Sequence, residues 1–173
     1  MLDKIIVRNA ELGDVENLTV LKQQVWISTY AVDGIRTEFS SYVLSAFTPD
    51  NIKRILLSND YLTLVAEQDN HIVGCVEMNL HPENSIAEVK GMPEITVLYV
   101  LERFCGMGVG QKLLNTAFDL LKDKGYASAW LSVLYSNERA LKFYNKNGFK
   151  DVGEIFFEMD GNKYENRVMM RNL

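Results

Sequence analysis

The stretch that most constrains the fold runs from Glu94 to Leu121, EITVLYVLERFCGMGVGQKLLNTAFDLL. It opens on β-branched and aromatic residues from Ile95 to Val100, the pattern of a buried strand. A charged turn leads to three glycines at alternate positions, Gly106, Gly108 and Gly110. Val109, Leu113, Leu114, Ala117, Phe118 and Leu121 then recur at the spacing of one helical face. A strand feeding a glycine-rich turn into a helix start makes an anion site. Small residues let the backbone approach the ligand, and the first-turn N–H groups have no intrahelical partner. The expected ligand is a phosphate or pyrophosphate, set against a plain β–α turn with no ligand. The two common nucleotide loops fit poorly. No Lys-Ser or Lys-Thr pair follows the glycines, and G-x-G-x-G brings its third glycine one residue before the dinucleotide fingerprint would.

At 173 residues the chain is sized for one domain over residues 1–173, able to bury a core without disulfides or metal. Cys75 and Cys105 are too few for a disulfide framework, and MLDKIIVRNAELGD lacks a signal-peptide core, so a cytoplasmic setting is expected. No apolar run approaches the ~20 residues of a membrane span, so no membrane partner is expected. A net charge of −5 argues against nucleic acid and leaves room for a cationic substrate. His71 and His81 have no Cys or His at ligand spacing, so no metal is expected.

Lys4 to Arg8 reads as a first strand. Gly13-Asp14 precedes a helical pattern through Val15, Leu18, Leu21, Lys22 and Val25 that continues to Tyr30. A second helix is expected over Thr37 to Ala46, and Thr48-Pro49 opens a third running to about Ser58. Tyr61 to Glu67 and Ile72 to Leu80 form a hairpin across Gln68–His71, and residues 82–93 form a polar loop. After the glycine helix come a strand at Ala127 to Val133 and a helix over Asn137 to Asn147, capped by Ser136 and ended by Gly148. Lys150 to Phe157 and Lys163 to Met170 close the chain as a hairpin around Asp160-Gly161-Asn162. This order predicts an α/β fold of mixed α+β character, its mixed sheet flanked by helices. The aromatics Trp26, Tyr30, Phe39, Tyr42 and Phe47 fit either a pocket lining or the inward stripe of two covering helices.

Arg103 to Gly108, RFCGMG, resembles the [RQ]-x-x-G-x-[GA] signature of the GNAT superfamily of acetyl-CoA-dependent N-acetyltransferases. Val133 to Phe149, VLYSNERALKFYNKNGF, resembles that superfamily's second motif. In it an Asn at a helix start precedes A-x-x-F/L-Y-x-x-x-G-F, and Asn137, Ala140, Phe143, Tyr144, Gly148 and Phe149 hold those positions. Ser45-Ala46-Phe47 and the E-I-x-x-L-Y-V from Glu94 to Val100 look most like the PaiA-type bacterial polyamine and diamine acetyltransferases. The resemblance implies a central, mostly antiparallel sheet of about seven strands that splays at the central strand, often at a bulge. It also implies acetyl-CoA as cofactor and a small-molecule amine, polyamine or diamine first, as acceptor. A protein N-terminus or lysine is the alternative acceptor, and a non-catalytic acetyl-CoA-binding regulator the alternative role. In such folds the C-terminal strands often pair across a homodimer.

Acetyl transfer needs an amine freed of its proton, because an alkyl ammonium has a pKa near ~10. It also needs fixed donors for the oxyanion and a proton for the departing thiolate. The resemblance implies Glu94 as base through water, with Glu77 as alternative and a solvent-exposed strand-entry glutamate as the bland reading. It implies Tyr144 as acid near the coenzyme sulfur. Leu98, Tyr99 and Val100 would face the pantetheine arm through main-chain groups. Arg103, Phe104, Cys105, Gly106, Met107, Gly108, Val109, Gly110 and Gln111 would wrap the pyrophosphate. Asn137 would bond the pantetheine or hold the splayed strands, and Trp26, Tyr30 and Tyr42 would border the acceptor. Lys112, Lys142 and Lys146 would reach the 3′-phosphate or stand as solvated surface. Cys105 reads as a small loop residue with no histidine nearby to activate it, and Phe143 as core.

Overall fold

The computed structural model describes residues 5–84 and 86–173; Lys4, expected in the first strand, lies outside them. The elements are β1 (Ile5–Asn9), α1 (Val15–Tyr30), α2 (Thr37–Ala46), α3 (Pro49–Leu57), β2 (Tyr61–Gln68), β3 (His71–Asn79), β4 (Glu94–Val100), α4 (Val109–Asp123), β5 (Ser128–Leu134), α5 (Glu138–Lys146), β6 (Lys150–Met159) and β7 (Asn162–Asn172). The strands form one sheet in the order β1-β2-β3-β4-β5-β7-β6. Every neighbouring pair is antiparallel except β4–β5. The mixed sheet with flanking helices is the one expected.

Local chemistry sets the boundaries. Both hairpins turn on two residues at positive φ, Asp69 with Asn70 and Asp160 with Gly161. Such turns match the twist of antiparallel strands, and Asp, Asn and Gly tolerate them best. The turns are therefore tighter than expected, and His71 begins β3 instead of lying in the loop. Thr48 caps α3 by accepting from Asn51 N, with Pro49 at the first helical position. The cap of α5 is a correction. Asn137, not Ser136, accepts the N–H of Ala140 at 3.1 Å, and the helix begins at Glu138.

The apolar stripe of α4 packs on one sheet face, where Leu113, Leu114 and Leu121 meet Val76, Met78 and Leu131. Burying each such leucine stabilises the fold by roughly 1.5–3 kcal/mol. Leu18 and Leu21 of α1 and Ile52 of α3 cover the other face against Val65, Cys75 and Val97. Among the described residues no helix is long and apolar enough to cross a membrane.

The sheet opens at its centre. Strands β4 and β5 share a single register pair, Glu94 with Trp130, and part company beyond it. On the other side of β4 the register with β3 jumps from Glu77↔Val97 to Met78↔Ile95, leaving Thr96 as an unpaired bulge residue. A bulge bends its strand and sharpens its twist, which turns β4 away from β5. The splay at the central strand is thus present, with its bulge.

Candidate active site

A cavity of about 690 Å³ fills the V between β4 and β5. Thr96, Leu98, Tyr99 and Val100 line one wall, and Leu131 to Leu134 line the other. Beyond Glu94 no ladder joins these two edges. The N–H and C=O groups that β4 turns toward β5 therefore need another partner.

The start of α4 stands at the mouth. Gly108 occupies the cap position at φ +83, and no side chain caps the helix. The first turn closes with Lys112 N donating to Gly108 O at 3.0 Å. The N–H groups of Val109, Gly110 and Gln111 have no backbone acceptor among the described residues. That is the bare helix end that an anion satisfies. A Cβ at Gly110 would meet Phe143 Cζ of α5 at 3.7 Å, an ordinary van der Waals contact, so packing against α5 does not by itself demand glycine there.

The structure sorts the loop residues. Cys105, Gly106, Gly108, Gly110 and Gln111 line the cavity, whereas Arg103, Phe104, Met107 and Val109 do not. Arg103 is exposed, Phe104 packs against the core and Val109 is wholly buried in it. Gln111 bridges α4 to the end of α5, donating to Asn147 Oδ1 at 2.6 Å and to Asn115 Oδ1 at 3.0 Å. Asn137 lines the cavity with its oxygen committed to the α5 cap. The Cys105 thiol lies 3.7 Å from the carbonyls of Val100 and Leu101, and burial raises its pKa, so it stays protonated. Phe143 lies half-buried on the cavity wall and not in the core interior.

The lysines also divide. Lys112 is drawn away from the mouth to Ile5 O, and exposed Lys142 pairs with Glu138 at 3.4 Å. Lys146 lines the cavity. Arg139, which the sequence motifs did not single out, lines it too and grips Glu102 through two bonds of 2.6 and 2.8 Å. This pair joins α5 to the turn after β4, a link between positions too distant for sequence spacing to reveal.

Tyr144 is buried on the cavity wall, its ring held edge-on by Phe143 and Phe149 at 5.4 and 5.5 Å. Its hydroxyl has no hydrogen-bond partner among the described residues, and burial lifts its pKa well above the usual value. It is a neutral donor awaiting an acceptor.

Glu94 sits at the apex of the V, where β4 and β5 still pair. It is half-buried and makes no ion pair or hydrogen bond among the described residues, and desolvation pushes its pKa up to about 7. Its side chain is not on the cavity wall, although Ile95 and Thr96 beside it are. Glu77 is buried and occupied: one oxygen takes Lys22 Nζ, and the other accepts from Thr96 Oγ1 at 3.0 Å. That cluster ties α1 to the bulge.

Across the cleft the aromatics resolve into one cluster serving both roles considered above. Trp26 stacks on Tyr30 at 4.3 Å and 12° and lies 4.9 Å from Tyr42. All three line the cavity, and Trp26 is buried as well. Phe39 belongs to the same cluster but lies behind the wall. Burial pushes the Tyr30 hydroxyl up to about 12 and raises that of Tyr42. Phe156 and Phe157 of β6 and Asn166 of β7 complete this side. Nothing in the residue pattern marks them beyond a closing hairpin.

A seven-stranded mixed sheet split at a bulged β4, with a glycine-rich helix start at its mouth, defines the GNAT class of acyltransferase. The sequence matches the Acetyltransferase (GNAT) family over residues 29–149, and the chain belongs to that family. It is 27% identical over 169 residues to the spermidine N(1)-acetyltransferase of Thermoplasma acidophilum, covering 93% of this chain and 98% of the relative. It is 25% identical over 153 residues to an N-alpha-acetyltransferase of Sulfurisphaera tokodaii, covering 84% and 80%. The fold matches the crystal structure of the PaiA N-acetyltransferase of T. acidophilum in complex with coenzyme A. The TM-score is 0.79 at 23% identity, with 98% of this chain and 99% of that one covered.

Proposed function

We propose that the chain acetylates the primary amine of a small molecule by direct attack on acetyl-CoA, with Glu94 as base through water and Tyr144 as acid. The observation that carries this reading is the V itself, one strand edge left unpaired beside an uncapped helix start. Such an edge suits an extended pantetheine arm bonding as a pseudo-strand, and the α4 N–H groups suit a pyrophosphate. Arg139 and Lys146 would add positive charge toward the phosphates. Acetyl-CoA, when bound, supplies the thioester carbon that the amine attacks.

Each chain residue then has one proton or one charge to manage. The ammonium gives its proton through water to Glu94, whose pKa of about 7 suits neutral pH better than an ordinary carboxylate would. The new N–C bond would form as the C–S bond breaks; Tyr144 would give its proton to the departing sulfur, and the second proton shed by the nitrogen as the amide forms would return through water to Tyr144. A cavity-facing N–H of β4 polarises the carbonyl. Glu77 is the poorer base, because its lone pairs are already engaged by Lys22 and Thr96.

The Thermoplasma relative makes polyamines and diamines the first acceptors to test, and the Sulfurisphaera relative makes a peptide N-terminus the second. The test is thiol release from acetyl-CoA with spermidine, putrescine, aromatic amines and short peptides, run beside Tyr144→Phe. Turnover of a small amine that collapses in the variant supports the proposal. Turnover of peptides alone transfers it to the second reading. Acetyl-CoA binding without turnover of any amine would leave a regulator in its place.

A further inference from the structure

The two sides of the cleft differ in charge. The cavity's charged side chains, Arg139 and Lys146, are both cations and both belong to α5 on the donor side. From α1, α2, β6 and β7 the cavity receives no charged side chain at all among the described residues. Its wall there is Trp26, Tyr30, Tyr42, Phe156 and Phe157, with Thr29 and Asn166 as minor polar points. No Asp or Glu lines the cavity anywhere among the described residues.

A polyamine entering this space keeps at least one ammonium after the reacting nitrogen has lost its proton. That charge would meet aromatic faces, with no carboxylate on the cavity wall to pair it. Cation–π contact recovers only part of what a buried ion loses in hydration. A monoamine gives up its single charge in the reaction and leaves only its body to accommodate. An aromatic body can stack against the Trp26–Tyr30 pair and bury apolar area there. A carboxylate on the acceptor would fare no better than a second ammonium, since the cations stand at the other end.

We propose that the acceptor is a monoamine carried on an uncharged aromatic or branched apolar body, and not a polyamine. This rests on the cleft being the acetyl-transfer site, so binding and turnover are measured separately. Calorimetry on the coenzyme A-loaded protein compares 2-phenylethylamine, spermidine and phenylalanine. Thiol release with acetyl-CoA follows for the same three. The expected result is 2-phenylethylamine binding at least tenfold tighter than the other two and turning over with the highest kcat/KM. Tyr42→Glu, which places a carboxylate on the acceptor wall, should move the ratio toward spermidine by tenfold or more. Tighter binding of 2-phenylethylamine without thiol release would sink the transfer reading and leave only the selectivity of the cleft for an apolar monoamine standing. Spermidine binding as well as or better than 2-phenylethylamine in the unmodified protein would overturn it, whatever the turnover.

Discussion

The two walls of the cleft offer different groups for recognition. On the proposed donor side the groups on offer are main-chain: the open edge of β4 and the bare N–H groups of Val109, Gly110 and Gln111. On the acceptor side they are side chains, aromatic rings brought together from α1, α2 and β6. Main-chain recognition demands particular backbone shapes, and those leave fixed glycines and caps in the sequence. Side-chain recognition demands only bulk in the right place, which any of several residues can provide. The donor wall should therefore respond to changes in geometry, and the acceptor wall to changes in surface chemistry.

The largest expected effect is at Tyr144, the proposed acid. Tyr144→Phe removes one hydroxyl from a wall otherwise unchanged, and kcat should fall by roughly 10²- to 10⁴-fold. Acetyl-CoA affinity by calorimetry should hold within about twofold, because the ring and its packing remain. An unaltered kcat would remove Tyr144 from the chemistry.

Lys22 and Glu77 lie on the seam between the walls, joining α1 to the β4 bulge. Lys22→Met leaves the buried Glu77 carboxylate without its cation and should cost about 3–5 kcal/mol of stability by denaturant unfolding. Lys22→Met combined with Glu77→Leu should recover most of it. Additive losses in the double variant would show that the pair is not coupled.

Glu94→Gln should lower kcat at pH 8 by about 10²-fold. In the unmodified protein kcat/KM should fall as pH drops through about 7, where the carboxylate takes up its proton, and the variant should lose that dependence. Stability runs the opposite way. Because the folded pKa is raised, protonation favours the fold, and the ionised group is a burden from the unfolded pKa up to about 7 and at a constant level above it. Glu94→Gln should therefore melt no lower than the parent at pH 8. A lower melting temperature with the pH profile intact would make Glu94 structural.

The smallest change expected is at Gly108, held at φ +83. A β-branched residue there costs about 1–2 kcal/mol in backbone strain. Gly108→Val should weaken acetyl-CoA binding by roughly tenfold and leave amine KM at saturating acetyl-CoA near its parent value. Equal losses for both ligands would break the division between the walls.

The same division explains what the sequence disclosed. The strand, glycine turn and stripe of α4 fall where the pattern put them, because Ile95, Val97 and the Leu113–Leu114 pair obey strand and helix periods that packing enforces. The motif marks Asn137, yet the pattern points equally to Ser136 as the cap, since either residue type can cap. The resemblance implies a bulge on the central strand without placing it at Thr96, because a one-residue slip between strands leaves no composition signal. Arg139 and Phe157 were missed because each reaches the cleft from an element whose own pattern is an ordinary exposed helix or hairpin.

Everything above turns on the donor occupying the V between β4 and β5. Amide hydrogen exchange with and without acetyl-CoA tests it residue by residue. Slowed exchange is expected at the cleft-facing amides of residues 96–100 and at Val109, Gly110 and Gln111, with α3 and the β6–β7 turn unchanged. Saturating acetyl-CoA that left β4 and the α4 start exchanging at their free rates would contradict it.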